Sequence, residues 1–178
     1  IYNNLISYNI ISSGKILNSI NSTSISLPFI ANGFFDIGTY LYIILIILII
    51  TGTSNAINLT DGLDGLATGL VAISTLVFAA IAYASGRIDY SNYLNIIYIP
   101  NSGELFIFCL SMIGACIGFL WYNAYPARIF MGDIGSLALG TALGTLAVLL
   151  KKELLLIIIG GVFVIESLSV IIQRLCEK

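Results

Sequence analysis

Five apolar stretches, each long enough to cross a lipid bilayer, leave this chain few folds to adopt. A bilayer core about 30 Å thick is spanned by roughly 20 helical residues. The stretches run from Gly38 to about Ala56, Leu63 to Ser85, Glu104 to Tyr122, Ile134 to Leu150, and Leu154 to about Leu175. The sequence therefore predicts an all-α fold, a polytopic transmembrane helical bundle with about five membrane spans.

The composition of the 178 residues agrees with a lipid-facing surface. Hydrophobic residues make up 58% of the chain and charged residues 9%, whereas a soluble domain carries about 25% charged residues. The net charge of −2, without any basic stretch, argues against nucleic acid as a partner. Cys109, Cys116 and Cys176 lack CxxC spacing and the chain has no histidine, so we interpret them as small apolar residues and not as zinc ligands.

The first 37 residues have a different character from the rest. They are rich in Asn and Ser, contain Gly14, Pro28 and Gly33, and show no sustained apolar run. We predict a polar non-spanning segment at 1–37 ahead of a transmembrane region at 38–178. The chain opens with Ile1, without a basic region and a cleavage site, and is expected to be an internal segment of a longer protein.

Alternation of the spans predicts which loops share a face of the membrane. The loops at 58–62 and 123–133 fall on one face, and those at 86–103 and 151–153 fall on the other. Each face carries three Lys or Arg residues, so the positive-inside rule does not orient the chain. Tyrosines in the 87–103 connection are typical of the membrane interface, and either a short hairpin or an interfacial helix is expected there.

The positions of the aspartates point to a functional site. Asp61 and Asp64 lie in NAINLTDGLDGLATG and Asp133 in NAYPARIFMGDIGSLALG, at the expected N-terminal ends of the second and fourth spans, on one face. A single aspartate there is best interpreted as a helix N-cap. Three aspartates together with Asn55 and Asn58 exceed what two caps require, and ionisable groups at membrane depth are costly.

Glycines next to these aspartates favour a phosphate ligand. Gly62 and Gly65 follow the first two aspartates, and Gly132 and Gly135 flank the third. Glycine lets a bulky ligand approach the backbone, and helix N-termini suit phosphate. Carboxylates beside phosphate repel it unless a cation intervenes, and Mg²⁺ commonly bridges one or two carboxylates to substrate phosphates. The pattern predicts a site for Mg²⁺ and pyrophosphate at the membrane surface.

Three segments resemble one known family. The stretches NAINLTDGLDGLATG, GFLWYNAYPARIFMGDIGSLALG and GGVFVIESLSVIIQ are similar to signatures of the phospho-N-acetylmuramoyl-pentapeptide transferases, and the resemblance runs from about Gly38 to Gln173. Transferases of N-acetylglucosamine 1-phosphate to polyprenyl phosphate share shorter forms of two of these motifs. The segments NLTDGLDGLA and WYNAYPA favour the muramoyl enzymes. The N-acetylglucosamine reaction stays open as an alternative.

The resemblance implies a Mg²⁺-dependent enzyme of about ten spans, of which five are present, with a homodimer as precedent. UDP-N-acetylmuramoyl-pentapeptide and undecaprenyl phosphate would give lipid I and UMP at the cytoplasmic face of the bacterial inner membrane. Family roles carried to matching positions make Asp133 the magnesium ligand and Asp61 and Asp64 essential polar residues. The expected substrate-binding residues are Asn55, Asn58, Phe130 and Gly132.

Departures from the family pattern limit what this chain is expected to do alone. The family carries an adjacent pair of aspartates and a histidine-rich motif, and neither is present here. Residues 1–178 are therefore expected to be inactive alone. The main hypothesis from another functional class is a membrane transporter component, because carboxylates within a membrane also mark ion pathways.

Overall fold

The structure, a computed structural model, describes residues 8–12, 15–20, 23–27 and 34–176. Within these described ranges, four helices are long and apolar enough to cross a membrane, and a bent helix pair adds a fifth span if it is counted as one. The long helices are α1 (Thr39–Thr60), α2 (Leu66–Ser85), α4 (Ser102–Asn123) and α5 (Gly132–Leu149), with the short α3 (Ile88–Leu94) between α2 and α4. The predicted helical membrane bundle is confirmed.

The fifth predicted span is broken. It consists of α6 (Glu153–Ile159) and α7 (Gly161–Cys176), bent by 68° at Gly160. The Gly160 N–H donates to the carbonyl of Leu156 at 2.7 Å. A Cβ at Gly160 would lie 2.8 Å from that carbonyl oxygen, so this turn of backbone needs glycine. One continuous span was predicted here because the apolar residues run through the break.

In the described part of the first 37 residues, four short strands precede the helices. The strand β1 (Tyr8–Ser12) pairs antiparallel with β2 (Lys15–Ile20), and β3 (Ser24–Ser26) pairs antiparallel with β4 (Phe34–Asp36). These strands were not predicted. They fall within the polar segment at 1–37, and the division of the chain at residue 37 stays a prediction.

Two helix pairs make up most of the bundle. Helix α2 packs along α4, and α1 packs along α5. In the second pair the backbones come very close, since a Cβ on Gly140 would lie 2.6 Å from the Ser54 Cα. The core contains Phe78, Cys109 and Cys116, each at most 3% exposed, which is the apolar environment expected for those two cysteines.

The outer helix surfaces are apolar. Only 17% of the most apolar window of α1, and the same share for α4, is buried inside the protein. Side chains such as Ile47, Leu48, Ile107 and Ile117 are more than half exposed. Such a surface is unfavourable in water and is the one expected of helices in lipid. The chain is a multi-pass membrane protein.

Candidate functional site

A small polar pocket lies where the predicted aspartates meet. It has a volume of about 170 Å³ and is formed by the 61–65 loop after α1, the 124–131 loop after α4 and the first residues of α5. Its lining residues are Asn58, Asp61, Gly62, Leu63, Asp64, Asn123, Phe130, Gly132 and Asp133. Alternation of the spans brings these distant segments to one end of the bundle, as the sequence predicted.

The aspartates do not cap the helices that follow them. Asp61 is the C-cap of α1, and its N–H donates to the carbonyls of Ile57 at 3.1 Å and Asn58 at 3.2 Å. The N-caps of α2 and α5 are Gly65 and Met131, and neither makes a side-chain capping bond. The N-cap interpretation, and the placing of Asp61 at the start of the second span, are therefore wrong, because α1 continues to Thr60.

The turn into α2 depends on Gly65. This residue has a φ of +73°, a left-handed conformation that glycine adopts without steric cost. A Cβ there would also lie 3.1 Å from the Leu120 Cδ1. The five-residue turn keeps Asp61 and Asp64 beside each other at the end of the bundle.

Hydrogen bonds join the separate segments of the pocket. The Asp64 Oδ2 accepts from the Ala127 N–H at 3.0 Å. The Ser136 Oγ, in the second turn of α5, donates to the Asn58 Oδ1 at 2.6 Å. These two bonds join the 61–65 loop to the 124–131 loop and α1 to α5, and so hold together the segments that carry the carboxylates.

Asn123 is a pocket residue that the sequence analysis did not identify. Its side chain is 2% exposed. The Oδ1 accepts from the Gly65 N–H at 3.1 Å and the Thr68 Oγ at 3.2 Å, and the Nδ2 donates to the Ile129 carbonyl at 3.0 Å. The available signal was an amide at the end of an apolar span, inside the WYNAYPA segment.

Asn55 does not reach the pocket. Its side chain is exposed on α1, and its Nδ2 donates to the carbonyl of Thr51 at 2.8 Å. It lies about one turn from Asn58 along α1, away from the loop end. Its expected role in substrate binding stays a prediction without a contact in the pocket.

The electrostatics of the pocket favour a cation. Burial raises the pKa of Asp61, and the negative charge of Asp133 raises it further. Within the described ranges, no group of three His, Cys, Asp or Glu side chains could hold a metal ion. A cation bound between these aspartates would therefore need oxygens from a substrate or water as well, which is the usual coordination of Mg²⁺ at phosphate sites.

A second cavity, almost entirely apolar, runs along the other side of α1. It has a volume of about 320 Å³. Its lining residues are Leu48, Ile49, Gly52, Thr53, Ala56, Glu153, Leu156, Ile157, Gly160, Phe163 and Val164. It reaches Ala56, two positions before Asn58 of the polar pocket. The apolar cavity therefore reaches the same end of α1 as the polar pocket, with Ala56 and Asn58 two positions apart along that helix.

Comparison with known proteins agrees with this arrangement. The model of a family described as glycosyl transferase family 4 matches residues 4–151. A protein of Thermodesulfovibrio yellowstonii named phospho-N-acetylmuramoyl-pentapeptide-transferase is 54% identical over 152 residues, covering 85% of this chain and 42% of that relative. A protein of Rickettsia bellii with the same name is 55% identical over 152 residues, with the same coverage. The chain thus spans about two fifths of the length of these curated relatives.

Proposed function

Because this chain belongs to glycosyl transferase family 4, we propose that it is part of an enzyme that transfers phospho-N-acetylmuramoyl-pentapeptide from UDP to undecaprenyl phosphate. The products would be lipid I and UMP, in the first membrane step of peptidoglycan synthesis. The convergence of Asp61, Asp64 and Asp133 in one pocket at the end of the spans carries the proposal. The names of relatives at 54% and 55% identity support it.

The chemistry requires positioning more than a strong base. An oxygen of the lipid phosphate attacks the sugar-linked phosphorus of the UDP-sugar. The new P–O bond forms as the P–O bond to the UMP phosphate breaks, and UMP leaves with the electron pair. The attacking oxygen is already ionised at neutral pH, so the main requirement is to bring two anions together and neutralise their charge.

In this proposal, the aspartates hold a cation that reduces the repulsion between the lipid phosphate and the pyrophosphate of the UDP-sugar. Asp133 would bind Mg²⁺, which neutralises the pyrophosphate when bound. The raised pKa of Asp61 fits a pocket whose carboxylates repel each other without a cation. Asp61 and Asp64 would contact the nucleotide and pyrophosphate side. Phe130, which is 72% exposed, would cover the nucleotide together with the backbone at Gly132.

The apolar cavity along α1 suits the chain of a lipid substrate. Its lining is hydrophobic except for Thr53 and Glu153, and its position beside Ala56 would allow a polyprenyl tail to lie in the membrane while its phosphate enters the polar pocket. The UDP-sugar would enter from water. We therefore propose that the pocket opens on the cytoplasmic face of the bacterial inner membrane. The family resemblance, and no contact within this chain, is the basis for proposing that the enzyme acts as a homodimer.

The direct test is the Asp133→Asn substitution in the full-length protein, assayed for transfer of radiolabelled phospho-N-acetylmuramoyl-pentapeptide to undecaprenyl phosphate. Loss of charge stabilisation at the reacting phosphates should lower the rate by about 10²-fold or more, with thermal stability little changed. Asp89→Asn, at an exposed position in α3, is the matched control and should retain activity. Near-normal activity of the Asp133→Asn enzyme would exclude the metal-ligand assignment.

Two further assays separate the alternatives. Residues 1–178 alone should form no lipid I, and measurable transfer by this chain would show that it contains the complete catalytic machinery. In the full-length protein, UDP-N-acetylglucosamine should be a poor donor. Preference for it over the muramoyl substrate would replace the proposed reaction with the N-acetylglucosamine 1-phosphate transfer.

A further inference from the structure

The short helix α3 is fixed at the membrane boundary opposite the polar pocket. Helix α2 runs from the pocket to Ser85, and α4 returns from Ser102, so the connection between them lies at the far end of both spans. The Ile99 N–H donates to the Ser85 carbonyl at 2.9 Å, and the Ser102 Oγ donates to the Ala82 carbonyl at 2.8 Å. These bonds hold the connection against the ends of the two helices.

Helix α3 presents apolar side chains outward from this position. Ile88 is 47% exposed, Tyr93 is 83% exposed and Leu94 is 51% exposed, while Ser91 is buried and donates to the carbonyl of Arg87 at 2.7 Å. A helix held at the ends of two membrane spans is expected at the boundary between acyl chains and headgroups. Tyrosine is enriched at this depth.

Arg87 is placed among aromatic rings at the start of α3. Its guanidinium carbon lies 5.9 Å from the centroid of the Tyr83 ring and 5.2 Å from that of Tyr90. Its Nη1 donates to the Tyr83 hydroxyl at 3.2 Å. The Tyr83 ring is itself packed against Phe106 of α4, with centroids 5.3 Å apart. The aromatic contacts therefore restrict the orientation of an exposed cation.

Arg87 forms no ion pair with an acidic side chain of the described residues, although Asp89 on the same helix interacts with it electrostatically. Helix α3 also contacts β1 (Tyr8–Ser12), which contains no acidic residue. A guanidinium carries five N–H donors in a planar fork that matches phosphate oxygens, and within the described part of the chain one of them is used, in the bond to the Tyr83 hydroxyl. The Tyr83 hydroxyl accepts from Arg87 and still has its own hydrogen to donate.

We propose that Arg87, Tyr83 and Tyr90 form a binding site for the phosphate of an anionic phospholipid headgroup. The guanidinium fork and the Tyr83 hydroxyl would bind the phosphate oxygens, while Ile88, Tyr93 and Leu94 contact the upper acyl chains. The apolar side chains beside the cation favour a lipid over free phosphate, because only a lipid fills both parts of the site. This site is separate from the polar pocket and does not depend on the proposed reaction.

The test compares lipid retention by variants of this chain. The wild type and Arg87→Gln are reconstituted in nanodiscs of phosphatidylcholine and phosphatidylglycerol, and native mass spectrometry measures the phosphatidylglycerol that stays bound. One basic side chain near an anionic headgroup corresponds to about a fivefold change in affinity, so Arg87→Gln should lower retention by about that factor. Tyr83→Phe, which keeps the ring and removes the hydroxyl, should lower it less.

The control is Asp89→Asn, which removes a charge of opposite sign from the same helix and should not lower retention. Equal retention by the wild type, Arg87→Gln and Tyr83→Phe would overturn the proposal. It would also be overturned if Asp89→Asn lowered retention as much as Arg87→Gln, or if soluble glycerol phosphate displaced the lipid as well as phosphatidylglycerol does.

Discussion

The Asp64 Oδ2 accepts a hydrogen bond from the Ala127 N–H at 3.0 Å, across 63 positions of the chain. This bond joins the loop that follows α1 to the loop that follows α4. The first loop carries Asp61, and the second leads to Phe130 and Asp133. Asp64 therefore has a structural part in the pocket, beside the contact with substrate that we propose for it.

Asp64→Ala should loosen this pocket. The Ala127 N–H would lose its acceptor, and a hydrogen bond to a charged group contributes about 1.5–3 kcal/mol to stability. Since Asp64 is partly exposed, we expect the lower end of this range. Amide hydrogen exchange should be faster at Ala127 in Asp64→Ala and nearly unchanged in Asp64→Asn, which keeps an acceptor oxygen. Unchanged exchange at Ala127 in the alanine variant would contradict a structural role for this carboxylate.

Asn123→Ala should have a larger effect on stability. The substitution leaves the Gly65 N–H, the Thr68 hydroxyl and the Ile129 carbonyl without their partner, and each unsatisfied buried group costs about 1–3 kcal/mol. Thermal unfolding in detergent should show a clear fall in Tm.

Asn55→Ala is the matched control for this measurement. Asn55 is exposed and its side chain donates to the Thr51 carbonyl within its own helix, so its removal should change the Tm little. Equal Tm values for Asn123→Ala and Asn55→Ala would show that the buried amide does not support the pocket.

Gly140→Ala should separate α5 from α1. The added methyl group would lie 2.6 Å from the Ser54 Cα and 2.8 Å from the Thr53 carbonyl oxygen, and neither backbone atom can move without its helix. Overpacking of this kind typically costs about 1–3 kcal/mol. Gly118→Ala, at an exposed position of α4 with no atom within 4 Å of the new Cβ, should be neutral or stabilising. Circular dichroism melts of both variants test this, and similar Tm values would exclude close backbone packing at Gly140.

The spans were predictable because lipid imposes a strong and simple constraint on sequence. A helix in a bilayer needs roughly 20 apolar residues, and α1, α2, α4 and α5 each meet that need. Alternation of the spans then placed Asp61, Asp64 and Asp133 at one end, without knowledge of any contact. For the connection at 87–103, either a short hairpin or an interfacial helix was predicted, and the structure has the helix α3 there.

The features that were not predicted depend on the local backbone conformation or on single side-chain contacts. The strands β1 to β4 are only three to six residues long and mix polar with apolar residues, so their apolar alternation is too short to indicate a strand. The break at Gly160 lies in an otherwise apolar run, where the adjacent glycines Gly160 and Gly161 were the available signal. Asn123 acts through bonds to Gly65 and Ile129, and such pairings across the chain appear only once the helices are packed.

The loop between α5 and α6 gives the protein a dependence of stability on alkaline pH. Burial lowers the pKa of Lys151 and Lys152 from the ordinary value of 10.5, although the Glu153 carboxylate opposes this shift, as does Asp36 for Lys151. Between the lowered pKa and 10.5 the unfolded chain binds more protons than the folded one, so stability rises with pH in that window. Below the window, the full cost of burying the charges is present. Lys152→Met should therefore raise the Tm at neutral pH and reduce its rise toward pH 10.5 relative to the wild type, and an identical pH profile for the two proteins would show that Lys152 carries no such cost.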